Sequence, residues 1–255
     1  MVFGLVAIFA PLLAPYGPTA TVGSPLMKMG AHGHLLGTDS FGRDELSRVI
    51  YGARPLIATS LLAVVVAVVL GFAIGLVAGY FGRFVDTALM RAMDVILSFP
   101  LILLAIMIVA ALGTGLLNLV VAIGVSQLPV CARLARALAA RERPREYVLA
   151  ARTSGFGVVR VLFREIAPNL LGPIVVQATA IVAVAAGYAA ALSYLGLGIQ
   201  PPTADWGYMV KEGQEFIFAA PRLALIPGIL ITLFVMACNF AGDDLRDLLV
   251  GDRGI

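Results

Sequence analysis

VILSFPLILLAIMIVAALGTGLLNLVVAIGVSQLPVCA, residues 95–132, is 38 residues long without one charged side chain. A helix crossing a hydrocarbon core of ~30 Å uses about 20 apolar residues. As a single helix at ~1.5 Å per residue the stretch would be about 57 Å long, too long to span once. Its middle reads Gly113-Thr114-Gly115, a turn signal. The stretch therefore predicts a hairpin of two spans, about 95–112 and 116–132. Its flanks, 83–94 and 133–165, must then lie on the same face of a membrane.

Working outward, charges are also missing from 55–82, 166–204 and 223–242. These runs predict spans of about 56–80, 169–193 and 223–241. The run 166–204 carries only one span, because GLGIQPP (196–202) ends a helix and Asp205-Trp206 follows. At the N-terminus MVFGLVAIFAPLLAP offers about 15 apolar residues, with Pro11 and Pro15 in it and no Lys or Arg before Lys28. Parity asks for a span here, so the expectation is a first span that is short or truncated, then an outward segment up to residue 54. The fold class expected is an all-α polytopic membrane protein of about six transmembrane helices. Composition agrees. The chain is 60% hydrophobic and 13% charged, whereas soluble domains carry about 25% charge.

Charge sets the sides. The two hairpin flanks and the tail after 241 hold 12 arginines, and the opposite face holds six Lys and Arg. The positive-inside rule places 133–165 in the cytoplasm and 16–54 and 198–222 outside. The pI near 9.1 is read as this arginine bias and not as a nucleic-acid footprint.

Several chemistries are not written here. There is no G-x-x-x-x-G-K-[ST], so no phosphate loop. There is no H-E-x-x-H and no G-x-S-x-G. His32 and His34 are an i, i+2 pair without a third ligand, and no metal site is expected. Cys131 and Cys238 lie in apolar stretches and read as small core residues. Arg91 and Asp94 read as an i, i+3 anchor at the cytoplasmic edge. No catalytic residues are expected.

One charged segment interrupts the apolar chain: EYVLAARTSGFGVVRVLFREIAPN, 146–169. Pro144 suits a first helical turn, and Tyr147, Ala150, Ala151 and Ser154 share a narrow face of small side chains and one aromatic. Gly155 suits the left-handed position that closes a helix. A second short helix, 157–165, is expected before Pro168. The segment reads as a docking helix for a cytoplasmic partner or as an amphipathic helix on anionic headgroups.

The segment resembles the "EAA" loop of binding-protein-dependent ABC importer permeases, in its Ala150-Ala151 pair, Gly155 and Pro168-Asn169. It departs where Leu149 stands for the name-giving Glu, Glu165 for a common His and Ala167 for a usual Leu. LLGTDSFGRDELSRVIYGAR (35–54), GYFGRFVDTALMRAMDVILSFP (79–100), LSYLGLGIQPPTADWGYM (192–209) and PGILITLFVMACNFAGDDLRDLL (227–249) resemble the C-type subunits of dipeptide, oligopeptide and nickel importers. Arg222 departs from an aromatic usual after the Ala-Pro pair.

The resemblance implies a permease subunit forming half of a pathway for peptides or a similar small solute. Residues 1–54 would be a partial first helix plus the outward segment, and 55–255 the transmembrane domain. Glu146, Tyr147, Ala150, Ala151, Arg152, Ser154 and Gly155 would form the helix that docks the ATPase, with Pro168 and Asn169 ending the loop. Gly37, Thr38, Asp39, Gly42, Arg43 and Asp44 would form an outward motif, and Pro201, Pro202, Trp206 and Gly207 an outer loop. The implied partners are a homologous second permease, two cytoplasmic ATPase subunits, an external solute-binding protein and lipid, with no nucleic acid. This chain would hold no cofactor, because ATP and Mg²⁺ would sit on the ATPases, and it would be no enzyme itself. The place implied is the inner or plasma membrane of a prokaryote. A secondary transporter or channel without an ATPase is the alternative, and it would need intramembrane ionisable groups or broken helices in matched halves.

Overall fold

The computed structural model describes the backbone of residues 2–250 and the side chains of 2–248. In chain order the helices are α1 Val2–Ile8, α2 Ala10–Leu13, α3 Glu45–Phe81, α4 Arg83–Leu97, α5 Leu101–Leu112, α6 Leu116–Glu142, α7 Glu146–Thr153, α8 Val158–Arg160, α9 Ala167–Tyr194, α10 Trp206–Gln214 and α11 Arg222–Val250. A 3₁₀ turn lies at Ala31–Gly33 and a π-helical stretch at Val161–Ile166. Among the described residues four helical stretches are long and apolar enough to cross a membrane, or five if a bent pair counts as one.

That bent pair corrects the expected span 95–112. The chain turns by 87° between α4 and α5. Pro100 cannot donate a backbone N–H and disfavours helical backbone at Phe99, which favours the break between 97 and 101. The charges the sequence reading placed in a flank, Arg83, Asp86, Arg91 and Asp94, belong to the helix α4. The hairpin turn is where it was predicted. Gly113 and Gly115 take φ of +90° and +133°, and the Asn118 amide donates to the carbonyls of Leu112 and Gly113.

Other helices overrun their expected ends. α3 begins at Glu45, eleven residues before 56, and passes through Pro55. α6, α9 and α11 likewise contain Pro129, Pro173 and Pro227. Membrane helices tolerate proline because neighbours and local adjustments satisfy the freed carbonyls. The second short helix expected at 157–165 is not separate: α8, the π stretch and α9 run as one helical stretch, Val158–Tyr194. An α turn would set the carbonyl of Arg164 against the ring of Pro168, and the wider π turn gives that ring room.

The chain divides into two compact units. Residues 1–61, 106–120 and 183–237 form one. Trp206 is its centre: the side chain is 2% exposed, its N–H donates to the Val49 carbonyl at 2.7 Å, and Phe3 meets its ring edge-on at 6.1 Å. Residues 62–105, 121–182 and the described residues from 238 onward form the other. Here α3 meets α6 through glycine. A Cβ on Gly71 would lie 2.8 Å from the Cβ of Cys131, one on Gly75 2.2 Å from the Ala132 carbonyl, and one on Gly79 2.5 Å from the Arg136 carbonyl. Small residues four apart let two backbones approach and gain dispersion contact where lipid offers no hydrophobic drive. α4 is tied to α6 by Asp94–Arg133 at 2.7 Å and by a bidentate Asp86–Arg136 pair. Asp94 therefore pairs across helices, and not with Arg91 as the i, i+3 spacing suggested.

Candidate functional site

α7 spans Glu146–Thr153, so Pro144 lies in the turn ahead of its cap and not in its first helical turn as expected, while Gly155 closes it where the sequence reading placed the end. Arg145 enters with extended backbone, and Glu146 places an acid in the first turn, where the helix dipole favours it. Gly155 takes φ +80°. Its N–H donates to the Arg152 carbonyl at 3.1 Å, and the N–H of Phe156 to that of Ala151 at 3.2 Å. These two bonds are the Schellman closure of a helix C-terminus, with Phe156 packed into the cluster that holds Ala151.

The faces are divided differently from the expected stripe. Val148 and Ala151 are buried, at 0% and 6% exposure, against Leu76 and Tyr80 of α3, Ala139 of α6 and Ile166. Ala151 thus faces the chain's own helices, while Ala150, Arg152, Ser154 and Gly155 are exposed. Leu149, absent from the predicted set, is 47% exposed. Val159 and Phe163 just after the loop are also exposed. No periodic rule flags Leu149, because a lone apolar residue on a short charged helix reads equally as core.

The two ends of the loop are tied together. The Tyr147 hydroxyl donates to Glu142 Oε2 at 2.7 Å and accepts from Asn169 Nδ2 at 3.1 Å. Asn169 also donates to the Glu165 carbonyl. Burial, and next the bond to Glu142, push the Tyr147 phenol above its ordinary range. Pro168 stands one residue inside α9 and is exposed. The Arg152 guanidinium lies 5.9 Å from the centre of the Tyr80 ring and that of Arg160 3.6 Å from the centre of the Phe156 ring, so two of the loop's arginines sit over aromatics as cations.

In the other unit the outward motif is a buried polar network. Asp39 Oδ1 accepts from the backbone N–H of Phe41 and of Arg43, and Oδ2 from the Arg43 side chain. Arg48, 1% exposed, reaches both Asp39 and Glu212. Asp44 accepts from Ser47 and shares a 2.7 Å bond with His34. Buried charges persist only when paired and hydrogen-bonded in this way. Thr38 donates to the Ser24 carbonyl. Gly37 and Gly42 have positive φ, and a Cβ on either would meet a backbone oxygen at 2.1 or 2.2 Å. Of the outer loop, Pro201 and Pro202 are exposed in a turn. Trp206 and Gly207 are buried, and a Cβ on Gly207 would lie 2.4 Å from the Ala190 carbonyl. Asp205 caps α10 by accepting from the N–H of Tyr208 at 3.0 Å, and burial lifts its carboxyl to about 6.

Arg222 was read as a departure without a role. Its guanidinium donates to the carbonyls of Leu36, Met27 and Thr38, at 2.8, 2.6 and 3.2 Å, and so holds the outward segment from α11. The signal was in the sequence only as a lone cation beside a proline. The His32-Gly33-His34 pair is divided: His34 is buried on Asp44, and among the described residues no group of three metal-ligating side chains forms.

The sequence and the fold have counterparts among known proteins. Residues 71–251 match the family described as binding-protein-dependent transport system inner membrane component. A dipeptide transport system permease protein of Alkalihalophilus pseudofirmus is 43% identical over 247 residues, 97% of this chain and 81% of the relative. A di/tripeptide transport system permease protein of Pseudomonas aeruginosa is 43% identical, covering 95% of this chain and 82% of the relative. A nickel transport system permease protein of Escherichia coli is 38% identical, covering 96% and 88%. Among solved structures, an inward-facing MetNI methionine ABC transporter aligns with TM-score 0.63 and 19% identity, over 80% of this chain and 97% of that one, a likeness of fold.

Proposed function

This chain belongs to the binding-protein-dependent transport system inner membrane component family, and we propose that it lines half of a pathway for short peptides, worked through α7 by an ATPase partner. The chain is a multi-pass permease subunit of an ABC importer, and its relatives are transport permeases. The membrane proposed is a prokaryotic plasma membrane. A second, homologous permease supplies the other half of the pathway. An external binding protein delivers the solute to the outward face. Two cytoplasmic ATPase subunits bind ATP and Mg²⁺, and this chain holds no cofactor of its own. Two relatives named for dipeptides or for di- and tripeptides are 43% identical and a third named for dipeptides is 38% identical, beside 38% for those named for glutathione and nickel, which supports peptides as the solute.

One observation carries the docking role. α7 is fixed from behind by Val148 and Ala151, yet it leaves Leu149 and Ala150 uncovered on a charged segment. A partner's groove would cover them. A lever of this kind transmits force because its back is rigid and its front binds differently in two states.

The test separates front from back. Leu149→Glu and Ala150→Arg put charge into the uncovered side and leave the buried side alone. Each should weaken co-purification of the ATPase subunits by tenfold or more and stop peptide uptake, while the chain still inserts. Arg143→Ala, on a solvated approach, should keep both, because exposed charges contribute at most ~1 kcal/mol. If Leu149→Glu and Ala150→Arg assemble and transport as wild type, α7 lies on headgroups and not on an ATPase.

A further inference from the structure

The second unit contains a cavity of about 410 Å³ between α6, α9 and α11. One wall is apolar and includes Leu134, Val176 and Ala180. Two amides, Gln177 and Asn239, and a carboxylate and a guanidinium, Asp243 and Arg246, also line it. α9 and α11 close on each other beside it, since a Cβ on Gly242 would lie 2.7 Å from the hydroxyl of Thr179. A pocket of mostly apolar wall with a few convergent polar groups is the usual form of a small-molecule site.

The polar set is specific in sign and spacing. An anion alone would leave Asp243 facing it, and a metal cation alone would meet Arg246. A ligand with both charges satisfies both side chains, and amides suit a peptide bond, which both donates and accepts. Asp243 and Arg246 are three apart on α11, so their Cβ atoms are ~5–6 Å apart. An extended peptide spans ~3.3–3.6 Å per residue, so two residues cover about 7 Å. We propose that this cavity is a recognition site for the two charged ends of a dipeptide, Asp243 taking the ammonium and Arg246 the carboxylate. The inference rests on the peptide reading above and adds where in this chain the peptide is held.

The test uses the assembled importer in lipid nanodiscs, without its binding protein, and a dipeptide carrying a photoreactive side chain. Cross-links mapped by mass spectrometry should fall on α9 and α11. Asp243→Asn and Arg246→Gln should each lower that labelling about tenfold in complexes that co-purify with the ATPase subunits as the wild type does. In the wild type an N-acetylated dipeptide should label about tenfold less than the free one, and Asp243→Asn should erase that difference. A photoreactive pentapeptide should label weakly. Peptide uptake with no label in this cavity, or equal labelling by free and acetylated dipeptides, overturns the inference and leaves the peptide reading standing. No peptide uptake by the wild-type importer and no label overturns both.

Discussion

Ala151 and Gly155 sit one turn apart in α7 and act by different physics. Ala151 is 6% exposed and abuts the chain's own helices, so Ala151→Glu buries an unpaired charge inside the unit. We expect loss of a few kcal/mol and a lever detached from its backing, seen as faster proteolysis at 146–160 even with no ATPase present. Gly155 has open space around its Cβ position but φ of +80°, so Gly155→Ala fails by backbone strain alone, about 1–2 kcal/mol, and Gly155→Asn should restore most of it. Thermal unfolding of the three variants in detergent checks the order. Asp205 gives a pH-dependent case. Burial raises its carboxyl from 3.8 to about 6 in the folded chain. Between those values the folded state holds the proton that the unfolded state has released. The stability that Asp205 contributes is therefore full at acid pH, falls as pH rises through about 4 to 6, and changes no further above. The change is on the order of 3 kcal/mol at ~1.4 kcal/mol per unit. Asp205→Asn keeps an acceptor for the Tyr208 N–H and removes the charge. Its melting temperature should fall less than that of wild type between pH 4 and 7.5, because other buried groups still titrate there, and should lie above that of wild type at pH 7.5. A wild-type curve that rises from pH 4.5 to 7.5 would contradict the account.

At the scale of elements, α3 and α6 depend on a stripe of glycine. Gly71, Gly75 and Gly79 recur every four residues along α3, a spacing visible in the sequence that hydropathy alone passes over. Gly75→Leu would drive a side chain into the carbonyl of Ala132 at a point where even a Cβ has no room. Backbone and not a movable side chain is the obstacle, so the helices must separate. The expected result is a folded-yield loss larger than for Gly172→Leu on α9, where nothing lies within 4 Å of the Cβ position. Fluorescence-detected size exclusion of the two variants would measure it. Equal yields would mean that α3 and α6 do not pack in this register. α4 shows the opposite case. Its charges were legible, but their partners were not. Asp86 and Asp94 could have paired along the helix, and the approach of α6 decides for Arg136 and Arg133.

For the whole molecule, sidedness is the expectation that most needs a direct measurement. Single cysteines at Arg143 and Thr203, in a background lacking Cys131 and Cys238, should separate under an impermeant thiol reagent. Position 203 should label from outside intact cells and position 143 only after lysis, as the 12-to-6 split of basic residues requires. The reverse pattern would invert the topology. The helical membrane class was legible in the residues alone, because a bilayer allows so few ways to satisfy backbone hydrogen bonds that long uncharged runs have one reading. So were the Gly113–Gly115 turn and the end of α7 at Gly155, since positive φ is a local requirement that glycine advertises. Packing in three dimensions settles which way Ala151 faces, that Arg222 clasps the outward segment, that the chain bends by 87° ahead of Leu101, and which carboxylates meet which arginines. A short helix carries small residues on more than one side, and a guanidinium accepts any carbonyl in reach. Those outcomes depend on contacts between residues up to 195 apart in sequence, and no local rule reaches that far.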